Sequence, residues 1–588
     1  MASDKQRRGF TRRRFIQGAA AAAAASGSML SSAAREEKHG RRPPSNEAPD
    51  TVFINGKIHT MDDEGTVASA VSIRDGRFAE VGNASRGRHG PDTRVIDLQG
   101  RTVVPGIIDN HNHIVLMGNR PGYHTPLENA YSIADVQAIY AARAKEIPNG
   151  AWITTIGGFH SNHLYTNSAD PTSGRLPTLA ELDTAVRNNP VFIEIGFTGP
   201  AVTNSLGKSI FEQHGVTVNT DGSFLGIEAS RGLLYLRQTL LNPEERRRST
   251  LDAMRYATTV GVTTHLDQGA FQATNTAADG AAHEDNFTMH IPFLEVYDQG
   301  KGIVRLRINF LHMDTTSDTP ELVQRLKNAF PFLGNDMVKT GAIGEFIATY
   351  PPATNFVAAA KRVAAANWRA EVHSLGRRNT PMSNAADFET EILAFEAVEA
   401  DPLLKGVIRD RRWVIAHVPG ITQEWIDRLQ AIGGNLSLTG WQYLRGGLPN
   451  STVAPYAGPP FRMIVDSGKR PGGIRAGMSS DGMQIAPMNP WIHMYYATTG
   501  LNARGEQINP GQQITRQEVL ALYTRENGWF LREEDELGTI EPGKLADLVV
   551  LNSDYFAVPN EDLKKIRSVL TVVGGNVVYD GGVLDLRG

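Results

Sequence analysis

Two histidines one residue apart, His111 and His113, close the apolar run VVPGIIDNHNHI at residues 103–114. Alternate side chains of a β-strand share a face, so both imidazoles project the same way from neighbouring rungs and can grip one metal ion. Polar residues recur in other β-branched runs: Lys339 in MVKTGAI, His373 ending RAEVH, His417 ending WVIAH and Asp481 ending RAGMSSD. Each has an ordinary alternative: a core histidine for His373 or His417, a helix N-cap for Asp481, a solvated rim lysine for Lys339. Their recurrence together argues for one site. With no cysteine in the chain, thiolate ligands, disulfides and a cysteine nucleophile are excluded. A metal would be held by imidazole, carboxylate or a modified lysine, a donor set that suits Zn²⁺ or a similar divalent ion.

Convergence requires a scaffold that gathers strand ends. Eight β-branched runs alternate with helical patterns: VVPGII leading to His111, then 262–267, 304–310, 337–343, 369–373, 413–417, 435–439 and 475–481. Stretches such as PPATNFVAAAKRVAAANW and ITQEWIDRLQAIG carry apolar residues at helical spacing. Eight βα units predict a closed (β/α)8 TIM barrel over 103–536, an α/β fold in which the carboxyl ends of the strands line one mouth. The gap between the first two strands is about twice what one unit needs, so about 120–245 reads as an insertion over that mouth.

The flanks read as strands. Asn55-Gly56 and Asp75-Gly76 are hairpin signals, and Gly574-Gly575-Asn576 marks a turn near the other end. Neither set buries both faces alone, so residues 51–102 and 537–588 are expected to form one small β-sandwich. Ahead of them, TRRRFIQGAAAAAAASG carries Arg12 and Arg13 before a short apolar run and a small-residue cleavage site near Ala34. Residues 1–34 resemble a twin-arginine export signal, with a basic nucleic-acid patch as the alternative, and the charged, proline-bearing 35–50 reads as a disordered linker. The expected location is periplasmic or secreted, with the twin-arginine machinery as a partner during export. The apolar run is too short for a membrane span. The 59 basic residues nearly balance 63 acidic ones, giving no global field for nucleic acid. A small-molecule substrate is the expected partner, with a homodimer compatible.

PGIIDNHNH, VGVTTHLD, VKTGAIGE, EVHSLG, RWVIAH, SSDGMQIAPMNPW and LGTIEPGKLADLVVLNSDYF together resemble the amidohydrolase superfamily, in the family 3 branch that includes N-substituted formamide deformylase. The resemblance spans about residues 51–580. It implies a metal-dependent hydrolase with His111, His113, His373 and His417 as metal ligands and Asp481 as catalytic aspartate. Lys339 matches the position where many members carry a carbamylated lysine bridging two metals, so the resemblance implies one or two divalent ions. Three departures stand out: HSLGR puts Arg377 where an aspartate is usual, FTGPAVTNS lacks the usual histidine, and the segment after Lys339 reads TGAIGE, leaving Glu345 as a nearby carboxylate.

Around this set, His160 and His163 either line the pocket or sit on a surface loop. Arg377 either anchors a substrate carboxylate or forms a rim salt bridge, and Trp441 and Tyr443 either wall the pocket or pack. The expected function is an exported metal-dependent amidohydrolase cleaving a C–N bond of a small molecule, with Asp481 as general base and acid. The alternatives are an esterase or lactonase on the same metal site and a non-catalytic exported regulatory protein.

Overall fold

The structure is a computed structural model that describes residues 48–82, 90–196, 199–269, 287–349, 353–374, 388–444, 458–483 and 486–584. The expected signal and nearly all of the linker lie outside the described residues, as does Arg377. Among the described residues no helix is long and apolar enough to cross a membrane.

Both ends of the chain build one sandwich. The first sheet runs in the order Arg77–Gly82, Ala70–Arg74, Thr51–Ile54, Arg94–Asp97. The second runs Asn576–Asp580, Ser568–Val573, Leu548–Leu551, Thr102–Pro105, Lys57–His59, Val67–Ala68, with Val549 opposite Val104 joining the two ends. Phe53, Val71 and Phe78 from one sheet and Ile58, Val103, Leu548 and Leu570 from the other share a buried core. Asp75-Gly76 and Gly574-Gly575 turn hairpins as expected, pairing Arg74 with Arg77 and Val573 with Asn576. Asn55-Gly56 does not. Thr51–Ile54 pairs on one edge with Ala70–Arg74 and on the other with Arg94–Asp97, so neither edge is left for Lys57–His59. The dipeptide is a corner between sheets.

The barrel starts later than the sequence suggests. Thr102–Pro105 belongs to the sandwich, and the first barrel strand is Ile107–Asn112. Gly106 makes the corner because a Cβ there would lie 2.3 Å from Thr263 Oγ1 and 2.9 Å from Asp547 Cβ. Seven further strands follow: Val262–Asp267, Arg305–Phe310, Val338–Ile343, Glu371–Ser374, Val414–His417, Asn435–Thr439 and Ala476–Ser479. They pair in parallel as two groups of four. Ile343 bridges to Ala370 at one seam, and Asp481 N–H donates to the His111 carbonyl (2.9 Å) at the other. The eight expected strands are all present, closing a (β/α)8 barrel. The helical stretches singled out above form Ala353–Ala365 and Gln423–Ala431.

Within 120–245 lies a five-stranded sheet of Tyr123–His124, Ile153–Ile156, Val191–Glu194, Ala201–Thr203 and Ser223–Phe224, with its own apolar core. Helices start where capping residues stand: Thr178 and Glu181 form a reciprocal capping box for Leu179–Ala185, and Asn204 caps Ser205–Gln213. Buried Glu128 ties the insertion to the barrel by accepting the Met488 and Asn489 N–H groups, both at 2.7 Å. Asn162 adds a bond to the Leu444 carbonyl (2.9 Å), so the insertion lies against the loops after the seventh and eighth strands.

Candidate metal centre

Six side chains from the carboxyl ends of five barrel strands meet at the mouth: His111, His113, Glu345, His373, His417 and Asp481. Glu345 stands two residues beyond the fourth strand and lies at the middle. One of its oxygens is 2.7 Å from His373 Nδ1, 3.4 Å from His111 Nε2 and 3.4 Å from His417 Nε2, and the other is 3.5 Å from His113 Nε2. Asp481 Oδ1 approaches His113 Nε2 at 3.2 Å and His111 Nε2 at 3.8 Å. Ligand atoms of His111, Glu345 and His417 all lie within 4.8 Å of one another, and so do those of His111, His113 and Asp481. All but His373 are nearly or fully inaccessible to solvent.

Second partners fix how these rings face. His113 Nδ1–H donates to the Gly269 carbonyl at 2.7 Å, and His111 Nδ1–H to Glu371 Oε1 at 2.9 Å. Each ring therefore turns Nε2 inward, toward Glu345 and Asp481. Glu371 is held in turn by Gln268 (3.0 Å) and Asn309 (3.3 Å). His417 (φ 71°) and Asp481 (φ 56°) adopt left-handed backbone, a strain of about 1–3 kcal/mol each that surrounding structure must hold. Such strain is a common price of aiming a side chain into a site.

Electrostatics single out the centre as a place for positive charge. Burial alone would raise the Glu345 carboxyl, but His373, His111 and His417 hold it well below the usual range. Asp481 is likewise held low against burial by His417 and His113. His111 Nε2 and Glu345 Oε1 are buried without a hydrogen-bond partner, a costly condition that a coordinated cation would relieve. Imidazole nitrogen and carboxylate oxygen are the donor types that divalent zinc takes. The residues fit a metal.

Lys339 is not among them. It stands at the amino end of the fourth strand, six residues and roughly 20 Å of strand from Glu345 at about 3.3 Å per residue. Its Nζ lies 3.4 Å from Glu533 at the opposite pole. The carboxylate that the cluster needs comes from Glu345, so the expected carbamylated bridge has no place here. Glu371, which carries His111, was not foreseen.

Of the pocket residues, His160 caps the turn Ser161–Leu164 through its ring, Nδ1 accepting the Asn162 N–H at 3.0 Å. His163 is buried edge-on against Tyr443, 5.2 Å between centroids, and burial pulls its pKa down to about 3. Trp441 is buried in the turn Trp441–Leu444 after the seventh strand. His160, His163 and Trp441 are not among the six side chains of the metal cluster. The insertion also buries Glu194, whose carboxylate oxygens have no hydrogen-bond partner. Burial lifts its pKa from 4.5 to about 8, with Arg120 opposing. Such an acid costs stability once the unfolded chain ionises and the folded one does not, a loss that starts as pH rises through about 4.5 and is complete above about 8. Glu194→Gln should therefore unfold like the wild type at pH 4 and at higher temperature at pH 8, which thermal melts at the two pH values check; equal melting points at pH 8 would count against a neutral Glu194.

Residues 94–579 match the amidohydrolase family, and that match covers most of the chain. The chain belongs to amidohydrolase family 3. It is 26% identical over 572 residues to N-substituted formamide deformylase of Arthrobacter pascens, covering 90% of this chain and 98% of that one. Protein LONG AFTER FAR-RED 3 of Arabidopsis thaliana is 24% identical over 587 residues, covering 91% and 93%. Among solved structures, a metal-dependent hydrolase of Pyrococcus horikoshii (TM-score 0.52, 16% identity, 87% of this chain and 99% of that one) has the same fold. So does atrazine chlorohydrolase of Arthrobacter aurescens, crystallised with zinc (TM-score 0.51, 16% identity, 90% and 95%). This amidohydrolase is a metal-dependent hydrolase acting on carbon–nitrogen bonds, and its barrel mouth gathers side chains that could hold a divalent metal ion.

Proposed function

We propose that this amidohydrolase cleaves the C–N bond of a small amide, an N-substituted formamide or a cyclic amide among them, at a Zn²⁺ centre of one or two ions held by His111, His113, Glu345, His373, His417 and Asp481. The observation that carries the reading is the convergence of these six side chains around the buried His111 Nε2 and Glu345 Oε1, which have no hydrogen-bond partner. A bound divalent ion lowers the pKa of water toward neutrality and polarises a carbonyl. The protein supplies the rest. Glu371 and the Gly269 carbonyl hold His111 and His113 with Nε2 inward. The Asp481 carboxylate, kept ionised by His417 and His113, takes a proton from the attacking water and returns it to the departing nitrogen, which leaves as an amine.

The test is activity across a panel of N-substituted formamides, cyclic amides, esters and lactones, before and after chelation. Amide turnover should vanish on stripping and return with Zn²⁺. Activity that survives complete removal of metal would end the reading, and faster turnover of esters than of amides would favour the esterase alternative.

Export through the twin-arginine route is supported by Arg12 and Arg13 ahead of the alanine run. Replacing both with lysine should leave unprocessed precursor in the cytoplasm, read by fractionation and immunoblotting. Normal amounts of shortened protein in the periplasm would rule that route out.

A further inference from the structure

At the amino-terminal pole of the barrel, away from the metal centre, a cavity of about 180 Å³ is lined by Arg307, Lys339, Arg369, Arg532 and Glu533, with Asn309 toward the barrel interior. Four cations and one carboxylate line it, with Glu371 behind Arg369 as a second carboxylate. Glu533 is spent on Arg307, which it holds through two bonds of 2.7 Å, so its 3.4 Å approach leaves Lys339 largely uncompensated. Arg369 is 2% exposed, and its Nη1 donates to the Phe530 carbonyl. Its Nε and Nη2 have no hydrogen-bond partner, the nearest carboxylate being Glu371 Oε2 at 3.5 Å from Nη2, already engaged by Asn309. Burial, and beyond it the neighbouring Arg412 and Arg532, lowers the Arg369 pKa to about 10 although Glu371 opposes the shift. A buried guanidinium with unmet donors beside a cavity is a cost that a counter-ion removes.

We infer that this polar cavity binds a small divalent oxyanion of the phosphate or sulfate class. A guanidinium offers paired donors matched to two oxygens, and Lys339 adds a point charge at the solvent-facing side. Arg532, exposed and at 5.3 Å over the Phe332 ring, stands at the entrance. A water occupies about 30 Å³ in the liquid, so the volume admits a small oxyanion with some of its hydration. Gln268, Asn309 and Glu371 form a hydrogen-bonded layer between this cavity and His111.

The experiment is calorimetric titration of the full chain with inorganic phosphate at constant ionic strength, using metal-loaded wild type, Lys339→Ala and Arg369→Gln, and His113→Ala as purified. Saturable binding should weaken about tenfold or more in Lys339→Ala, which removes a partly exposed charge without opening the core, and still further in Arg369→Gln. Sulfate should compete. His113→Ala should bind phosphate as the wild type does. No saturable binding at millimolar phosphate overturns the inference. So does binding that survives Lys339→Ala undiminished or is lost in His113→Ala, since either places the anion at the metal centre or elsewhere. If Arg369→Gln fails to fold, Lys339→Ala decides.

Discussion

Asp481→Asn should turn over substrate about 10²–10⁴-fold more slowly than the wild type while keeping most of its metal, because positioned proton transfer contributes a factor of that size. The amide keeps the shape of the carboxylate but cannot accept the proton of the attacking water. The left-handed backbone at Asp481 (φ 56°) suits asparagine, among the non-glycine residues that tolerate this region best, so the loop should hold its path. His111 retains Glu371 and His113 retains the Gly269 carbonyl, leaving most of the donor set in place. Rate and metal stoichiometry on one preparation of the variant check the expectation. Near-normal turnover would remove Asp481 from proton transfer, and loss of all metal would recast it as chiefly a ligand.

Glu345→Gln and Lys339→Ala should behave in opposite ways. Glu345 approaches all four histidines within 3.5 Å, so removing its charge should weaken apparent metal affinity by more than about 10²-fold, above the loss typical of residues that merely orient ligands. Lys339 lies at the other pole with Glu533 and should leave metal content unchanged. Dialysis against buffers of fixed free Zn²⁺, followed by metal analysis, separates the two. Full occupancy in Glu345→Gln, or depletion in Lys339→Ala, would reverse the assignment of the carboxylate at the centre.

The strand pattern was legible in detail. Val262–Asp267 and Asn435–Thr439 fall at the residues their β-branched runs mark, because parallel strands covered on both faces are written as nearly continuous apolar runs. The four histidines were legible too, each sitting at or next to the end of its strand. Lys339 was misplaced for a simple reason. It and Glu345 are an even number of residues apart, so strand alternation does not tell them apart, and only height along the barrel does. Glu371 escaped because a carboxylate one layer below His373 means nothing until the barrel closes and brings it to His111. Asn55-Gly56 misled because a turn signal is local, whereas the partner of each flanking strand is set by sheet edges formed elsewhere in the chain.

By itself the sequence determined the donor chemistry, the number of barrel strands and the return of the chain end to the sandwich. The absence of cysteine leaves nitrogen and oxygen as ligands, and period and spacing carry the rest. Only the tertiary structure decided which carboxylate faces the histidines, which ring nitrogen points inward, and that four cations gather at the opposite pole. Those facts depend on contacts between residues far apart in the chain, such as His111 with Glu371 and Glu345 with His417, and barrel closure brings them together.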